Sequence, residues 1–254
     1  MIHLLSDIVV RADQDFPRRD LFRFAIHKGK DSFVILEEGE QVAVYDNPEK
    51  ALLSLHEWVN YRVYRATSDL LKIHAGCASF RGKRAILAGD KATGKTTLLC
   101  RLLLDGMTVH SDEHVLLDNL ETLPFPRKFH LKEGSLALVP ELVPICTKRR
   151  SYPSYFGGRF YFFDPLDAGH EWKIKKDRLD VIVYLEPDHA KSTALKPCPK
   201  YLMVHSLLRQ TDNFSADPGE QIRELCRLVD NSACYTLRLG KLEDASKIIH
   251  DLLS

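Results

Sequence analysis

The chain has 254 residues, of which 44% are apolar, and its 36 basic and 35 acidic side chains nearly cancel. This length predicts one α/β domain with an attached subdomain. The charge balance argues against a nucleic-acid partner, and the absence of any run of about 18 apolar residues argues against a membrane-spanning helix.

The cysteines and the N-terminus bear on the cellular compartment. The six cysteines form no C-x-x-C pair and show no dense disulfide spacing, so free thiols in a reducing environment are expected. The N-terminal stretch "MIHLLSDIVVRADQDF" lacks the basic start and long apolar run of a signal peptide. These features predict a cytoplasmic protein.

Residues 1–71 are predicted to form a β-rich subdomain with a connecting helix. The segments "LFRFAIH", "SFVILEE" and "QVAVYD" follow one another at short spacing, which indicates a small antiparallel sheet with one wet face. Asn47 as N-cap and Pro48 at the first helical position predict a long helix after it. Its expected apolar stripe runs through Leu52, Leu55, Val59, Val63, Ala66 and Leu70.

Residues 72–254 are predicted to form the main α/β domain. "HAGCAS" and "RAILAG" suggest a hairpin, followed by a Gly-rich loop, a helix from Lys95 to Asp105 and the strand segment "MTVHSDEHVLLD". This order is typical of a parallel sheet. Residues 124–178 are rich in Pro, Gly and aromatic side chains, which predicts long irregular loops. A buried strand at 179–185, a helix capped by Asp217, a strand at 235–239 and an amphipathic C-terminal helix complete the domain.

The Gly-rich loop "GDKATGKT" fits the pattern G-x-x-x-x-G-K-[ST] at every fixed position. Its glycines allow backbone N–H groups to approach phosphate oxygens, and the following helix directs the positive end of its dipole at them. Lys95 is expected to contact the β- and γ-phosphates of a nucleotide, and the Thr96 hydroxyl a Mg²⁺ ion. The predicted nucleotide-binding residues are Gly89, Asp90, Lys91, Ala92, Thr93, Gly94, Lys95, Thr96 and Thr97.

The segment "HSDEH" places Asp112 and Glu113 one helix and one strand after Lys95. The carboxyl ends of parallel strands meet at one sheet edge, so these acids are expected near the terminal phosphate. A carboxylate there can bind Mg²⁺ or accept a proton from an attacking hydroxyl. The alternatives are a turn-forming aspartate and a zinc site that uses His110, Asp112 and His114.

Several segments together resemble the HPr kinase/phosphorylase-like P-loop kinases, a family of bacterial serine kinases. They are "IHAGCAS", "GKRAILAGDKATGKTTLL", "LLLDGMTVHSDEHVLLD" and "PFPRKFHL", and the similarity is strongest over residues 72–131. The resemblance implies a P-loop kinase core with a mixed sheet flanked by helices, with ATP and Mg²⁺ as cofactors. The size and layout are similar to short relatives such as lasso-peptide kinases, which implies a serine of a peptide or protein as acceptor and allows a homo-oligomer.

The resemblance also implies roles for individual residues. Asp112 corresponds to the catalytic aspartate, and Glu113 stands where the family usually has a second aspartate, so both are candidate Mg²⁺ ligands with Thr96. His74 falls at a histidine near the family's active site, whereas without the resemblance a half-buried structural histidine is the favoured interpretation. Arg127 matches an arginine of the kinase-like relatives. It and Arg159 are candidate substrate or phosphate contacts.

Three other functions remain open from the sequence. A P-loop ATPase is compatible with "VIVYLEPD", which imitates a Walker B strand that ends in Glu186. A GTPase or an ABC-type ATPase is disfavoured because the motifs N-K-x-D and L-S-G-G-Q are absent. A nucleotide-binding regulator and a small-molecule kinase also fit the same loop.

Overall fold

The computed structural model describes residues 22–154, 157–173, 175–211 and 217–254. These residues fall into two compact units, the first ending at Asp69 and the second covering Leu70–Ser254. The predicted β-rich character of residues 1–21 lies outside the described residues. Each of the described helices is too short or too polar to cross a membrane.

The described part of the first unit contains three strands and one helix. Strands β1 (Phe24–Lys28), β2 (Phe33–Glu37) and β3 (Glu40–Tyr45) pair in order as an antiparallel sheet, which confirms the predicted small sheet. Helix α1 spans Pro48–Ala66, and the Asn47 side chain accepts the Glu49 N–H at 2.7 Å as its N-cap.

The predicted apolar stripe of α1 is wrong in its second half. Val59 and Val63 are 39% and 41% exposed, and Leu70 lies beyond the helix end. The buried residues, apart from Tyr64, are concentrated between Ala51 and His56. A strand of five or six residues spans about 20 Å and a helix of this length nearly 30 Å, so the sheet covers only the first part of the helix.

The second unit is built on a mixed sheet. Strands β4 (Leu71–Phe80) and β5 (Lys83–Ala88) form the predicted hairpin, with Arg81 and Gly82 at positive φ in the turn. Strands β13 (Val181–Pro187) and β15 (Ala233–Leu239) continue the sheet parallel to β5. The remaining strands are β6 (Thr108–Ser111), β7 (His114–Asp118), β8 (Glu121–Leu123), β12 (Asp177–Arg178) and β14 (Ala194–Pro197). The order is β12-β8-β7-β4-β5-β13-β15-β14, and β6 pairs with β4.

Helices cover both faces of this sheet. They are α2 (Lys95–Leu104), α5 (Lys200–Leu208), α6 (Pro218–Asp230) and α7 (Leu242–Leu253). Val183 of β13 belongs to a hydrophobic cluster with residues of α2 and α7, whereas its neighbour Ile182 belongs to a cluster with residues of α5 and α6. Successive strand residues point to opposite faces, so α2 and α7 lie on one side and α5 and α6 on the other. The predicted mixed sheet flanked by helices is confirmed.

The simpler expectation of a parallel pair around α2 is wrong. Strand β6 pairs antiparallel with β4, and β4 pairs antiparallel with β5. Strand β6 therefore runs in the direction of β5 but is separated from it by β4. The hairpin places β4 directly beside β5, so the connection through α2 has to pass over β4.

Residues 124–178 contain more regular structure than predicted. Strands β9 (Phe129–Lys132), β10 (Ser151–Pro153) and β11 (Arg159–Phe163) form a separate antiparallel sheet in the order β10-β11-β9. Short helices α3 (Glu133–Leu136) and α4 (Val143–Cys146) and the 3₁₀ turns Pro140–Leu142 and Pro165–Ala168 connect them. The aromatic residues that suggested loops pack together as a core, with Tyr152 and Phe162 buried edge to face.

Candidate nucleotide site

The loop between β5 and α2 has a backbone that depends on its glycines. Gly94 caps α2 in the left-handed conformation at φ +92°, and Ala92 also has a positive φ of +65°. A Cβ atom on Gly89 would lie 3.1 Å from the Leu185 carbonyl oxygen of β13. The loop therefore turns tightly against the neighbouring strand, and the first N–H groups of α2 open onto the same concave backbone.

The Lys95 ammonium group lies over this loop. Its Nζ atom donates to the carbonyl oxygens of Gly89 at 2.7 Å and Asp90 at 3.0 Å. Burial lowers the pKa of Lys95, while the negative charges of Asp112 and Glu113 oppose that shift. The two carbonyl oxygens thus hold the ammonium group over the loop. The oxygen atoms of a bound phosphate could take their place as its hydrogen-bond acceptors.

Asp112 lies at the end of β6 and is only 4% exposed. Its burial, followed by the charge of Glu113, raises the pKa of Asp112 to about 6, while Arg127, the hydrogen-bonding Thr96 hydroxyl and Lys95 lower it. Its Oδ1 atom is buried and has no hydrogen-bond partner among the described residues. Such an atom is expensive to bury unless a ligand, metal or substrate proton engages it. At neutral pH the carboxylate is mainly ionised.

Glu113 forms an ion pair with Arg127, which is 7% exposed. The same Arg127 nitrogen also lies 2.9 Å from Nδ1 of His130 in β9, and the His130 ring stacks on Phe160. The structure therefore places Arg127 at the acidic corner and connects that corner to the three-stranded sheet. The Glu113 carboxylate, predicted as a metal ligand, is engaged by this guanidinium.

His74 of β4 lies opposite His114 of β7, with 6.2 Å between the ring centroids. Its backbone N–H donates to the Gln210 carbonyl oxygen at 2.7 Å. Burial lowers the pKa of His74 to about 4, with Lys95 and His114 adding to the shift and Glu113 opposing it. His74 is thus a neutral imidazole close enough to Lys95 and Glu113 to respond to their charges.

Arg159, the other predicted substrate contact, lies on the three-stranded sheet. It donates to the Ser151 hydroxyl at 2.7 Å and to the Ser151 carbonyl oxygen at 2.5 Å. These contacts tie β11 to β10, and they differ from those of Arg127, which reach the acidic corner.

The carboxylate of Asp90 makes contacts that the sequence did not predict. It accepts hydrogen bonds from Gln210 at 2.8 Å, from Arg209 at 3.1 Å and from the Tyr184 hydroxyl at 3.2 Å. These donors lie at the end of α5 and near the carboxyl end of β13, far from Asp90 in sequence. The pairing of β13 with β5 is the one feature that could have indicated the contact between Tyr184 and Asp90, because it places Tyr184 in the strand next to β5.

The oxygen ligands present fit Mg²⁺ better than a zinc ion. Mg²⁺ is bound through one or two carboxylates with water and phosphate oxygens, and Thr96 with the buried Oδ1 of Asp112 provides such a partial set. The described residues contain no group of three His, Cys, Asp or Glu side chains arranged around a metal position. His110 instead has both ring nitrogens engaged, by the Ser79 hydroxyl at 2.8 Å and the Lys173 carbonyl at 3.0 Å.

No protein-family model matches this chain, and no curated protein matches it either. The functional assignment therefore rests on the residues of the site.

Proposed function

We propose that this protein is an ATP- and Mg²⁺-dependent kinase with a P-loop core like that of the HPr kinase/phosphorylase-like enzymes. It transfers the γ-phosphate to a hydroxyl, foremost the serine of a peptide or protein. The observation that carries the proposal is the Asp112 carboxylate, which is buried next to Lys95 and Thr96 with one oxygen unpartnered. All six cysteines are free, which supports action in the cytoplasm.

The donor half of the site is the loop and the start of α2. The backbone N–H groups of the first helical turn and the Lys95 ammonium group bind the β- and γ-phosphates. Thr96, with a carboxylate of the acidic corner, would hold Mg²⁺, which supplies neutralisation of the phosphate charge when bound. The left-handed Gly94 and the close approach of Gly89 to β13 support this assignment because they form the required concave backbone.

The reaction needs one group that takes up the proton of the substrate hydroxyl. The oxygen of that hydroxyl forms a bond to the γ-phosphorus. At the same time the bond from the γ-phosphorus to the oxygen that bridges it to the β-phosphate breaks, and ADP leaves with the electron pair. The proton of the hydroxyl passes to the Asp112 carboxylate and then to solvent. A pKa of about 6 suits this role, since the group is ionised at neutral pH yet remains basic enough to take a proton.

The position of Glu186 supports transfer over simple hydrolysis. In the ATPase alternative, Glu186 would act as the acid of a Walker B strand. Its side chain is exposed at the end of β13, whereas Asp112 is buried at the loop. A buried base favours a reaction from which bulk water is excluded.

The test follows the label of [γ-³²P]ATP with Mg²⁺ and three sets of acceptors: serine-containing peptides, small hydroxyl compounds and none. The proposal predicts label on a hydroxyl acceptor, loss of that label in Asp112→Asn, and no transfer in excess EDTA. Release of inorganic phosphate with every acceptor, at a rate that Asp112→Asn leaves unchanged, would show an ATPase instead. Label found only on a small molecule would support the assignment as a kinase but exclude a peptide as its substrate.

A further inference from the structure

Two cations meet at one residue of the loop. Lys95 Nζ donates to the backbone carbonyl of Asp90 at 3.0 Å, and Arg209 Nη2 contacts both carboxylate oxygens of Asp90, at 3.1 and 3.3 Å. The Arg209 guanidinium and the Lys95 ammonium group therefore contact the same residue, the first at its carboxylate and the second at its backbone carbonyl. The Asp90 carboxylate offsets the positive charge of the guanidinium.

We propose that Arg209 is a second cationic ligand of the nucleotide, which binds the terminal phosphate and is held ready by Asp90. This inference rests on the proposed nucleotide site. It adds a residue whose position in the sequence, more than 100 residues after the loop, gave no indication of a role there.

The contacts of Arg209 leave it able to bind a phosphate. Both contacts to Asp90 use Nη2, so the Nη1 and Nε protons of the fork have no acceptor among the described residues. A guanidinium presents its donors in a planar fork that suits phosphate oxygens. The Arg209 side chain is 58% exposed, so it can turn toward a ligand without leaving a buried charge behind.

The position of Asp90 selects the terminal phosphate. The helix N-terminus at Gly94–Thr96 forms one end of the loop, and Gly89 and Asp90 form the other. Lys95, which contacts the β- and γ-phosphates in this type of loop, reaches toward the Gly89–Asp90 end. A cation anchored on Asp90 therefore lies at the same end of the loop as the Lys95 ammonium group, which is the end that the proposal assigns to the terminal phosphate.

Further contacts hold the segment after α5 at the loop and at β4. Gln210 donates to Asp90 at 2.8 Å, and its own carbonyl accepts the His74 N–H at 2.7 Å. Thr211 then bridges to Ile73 of β4. Because these contacts fix the backbone on the C-terminal side of Arg209, the guanidinium is presented to the loop from a defined position and not from a freely moving segment.

The test compares the Kd values of ATP and ADP, measured by calorimetry with Mg²⁺, for wild type, Arg209→Gln and Arg209→Met, which keeps most of the aliphatic stem. Arg223→Gln is the matched control, since Arg223 is an exposed arginine of α6 paired with Asp217 and Glu220. We expect both Arg209 variants to weaken ATP binding about tenfold or more, ADP binding less than threefold, and the control to match wild type. Asp90→Asn alone is also expected to weaken ATP binding, because it removes the carboxylate that positions Arg209.

Three results would overturn the inference. They are unchanged ATP affinity in both Arg209 variants, an equal loss for ADP and ATP, and an ATP affinity that Asp90→Asn leaves unchanged or raises, which would mean that Arg209 only neutralises Asp90. A wild-type protein that binds neither nucleotide would instead contradict the proposed function. ATP binding that depends on Lys95 but not on Arg209 would remove this inference and leave the nucleotide site intact.

Discussion

The Arg127 guanidinium, nearly buried at 7% exposure, is paired with the carboxylate of Glu113. This pair fixes the residue next to Asp112 and joins it through His130 to the three-stranded sheet. The electrostatic environment of Asp112 therefore depends on a residue that follows the acidic corner by two short strands, β7 and β8.

Arg127→Gln is expected to destabilise the protein by about 2 kcal/mol, because it removes the ion pair of a nearly buried guanidinium with Glu113 and its contact with His130. It should also reduce transfer activity, since Arg127 offsets the negative charge at Asp112. Urea unfolding and initial transfer rates measure the two effects. Arg159→Gln, which among the described residues breaks the contacts to Ser151, is the matched control and should have a smaller effect on both stability and transfer rate.

A double-mutant cycle isolates the Glu113–Arg127 pair. The variant Arg127→Gln/Glu113→Gln should lose less stability than the sum of the single variants, because neither partner then remains unpaired. Strict additivity would mean that the two side chains do not interact in solution.

Lys95→Ala is expected to weaken nucleotide binding at least tenfold and to abolish phosphate transfer. The ammonium group is the cation that the loop itself positions, through the carbonyls of Gly89 and Asp90. Calorimetric titration with ATP checks this, with Lys83→Ala at the exposed start of β5 as control. An ATP affinity equal to that of wild type in Lys95→Ala would contradict the nucleotide site.

Gly76→Ala is expected to destabilise the protein by about 1–3 kcal/mol through overpacking. A Cβ atom at Gly76 of β4 would lie 2.3 Å from Leu99 Cδ1 of α2, so the fully buried Leu99 side chain or the helix that carries it would have to shift. The control is Gly134→Ala, where an added Cβ meets no atom within 4 Å. Chemical denaturation of both variants decides the point, and equal stabilities would show that the strand and helix are less closely packed than described.

The stability of the protein should fall as the pH drops below the unfolded-state pKa of histidine. Burial lowers the pKa of His110 to about 4 from the ordinary 6.5. Between these values the unfolded state binds a proton that the folded state excludes, so roughly 1 kcal/mol is lost for each pH unit from about 6.5 to about 4. The contribution is fully present above pH 6.5.

His110→Gln should make this part of the pH dependence shallower. Urea unfolding between pH 7.5 and pH 5 measures the slope, and His74, whose pKa is also lowered to about 4, contributes a second slope that remains in the variant. A profile identical to that of wild type would show that His110 does not titrate as described.

The sequence predicted those parts of the site that lie close together along the chain. The loop, the capping of α1 by Asn47 and the β4–β5 hairpin depend on local backbone preferences, which short patterns reveal. Asp112 was placed correctly at the sheet edge because one helix and one strand separate it from Lys95, although the strand that lies between β5 and β6 was not foreseen.

The parts that the sequence missed depend on tertiary contacts. Arg209 and Gln210 reach Asp90 only because α5 ends beside β4, and no local pattern encodes that approach. The aromatic residues around Tyr152 suggested loops because their core is shared among three short strands with long connections. Their burial is a property of the assembled sheet and not of any single segment.

The most direct test of the proposed function is the rate of label transfer from [γ-³²P]ATP to a serine-containing peptide acceptor in Asp112→Asn and Glu186→Gln. A buried general base contributes roughly 10²- to 10⁴-fold to the rate. We therefore predict that Asp112→Asn transfers at least 100-fold more slowly while its ATP affinity stays within a few-fold of wild type, and that Glu186→Gln matches wild type. Transfer by Asp112→Asn within tenfold of wild type, or loss of activity in Glu186→Gln alone, would contradict the assignment of Asp112 as the base.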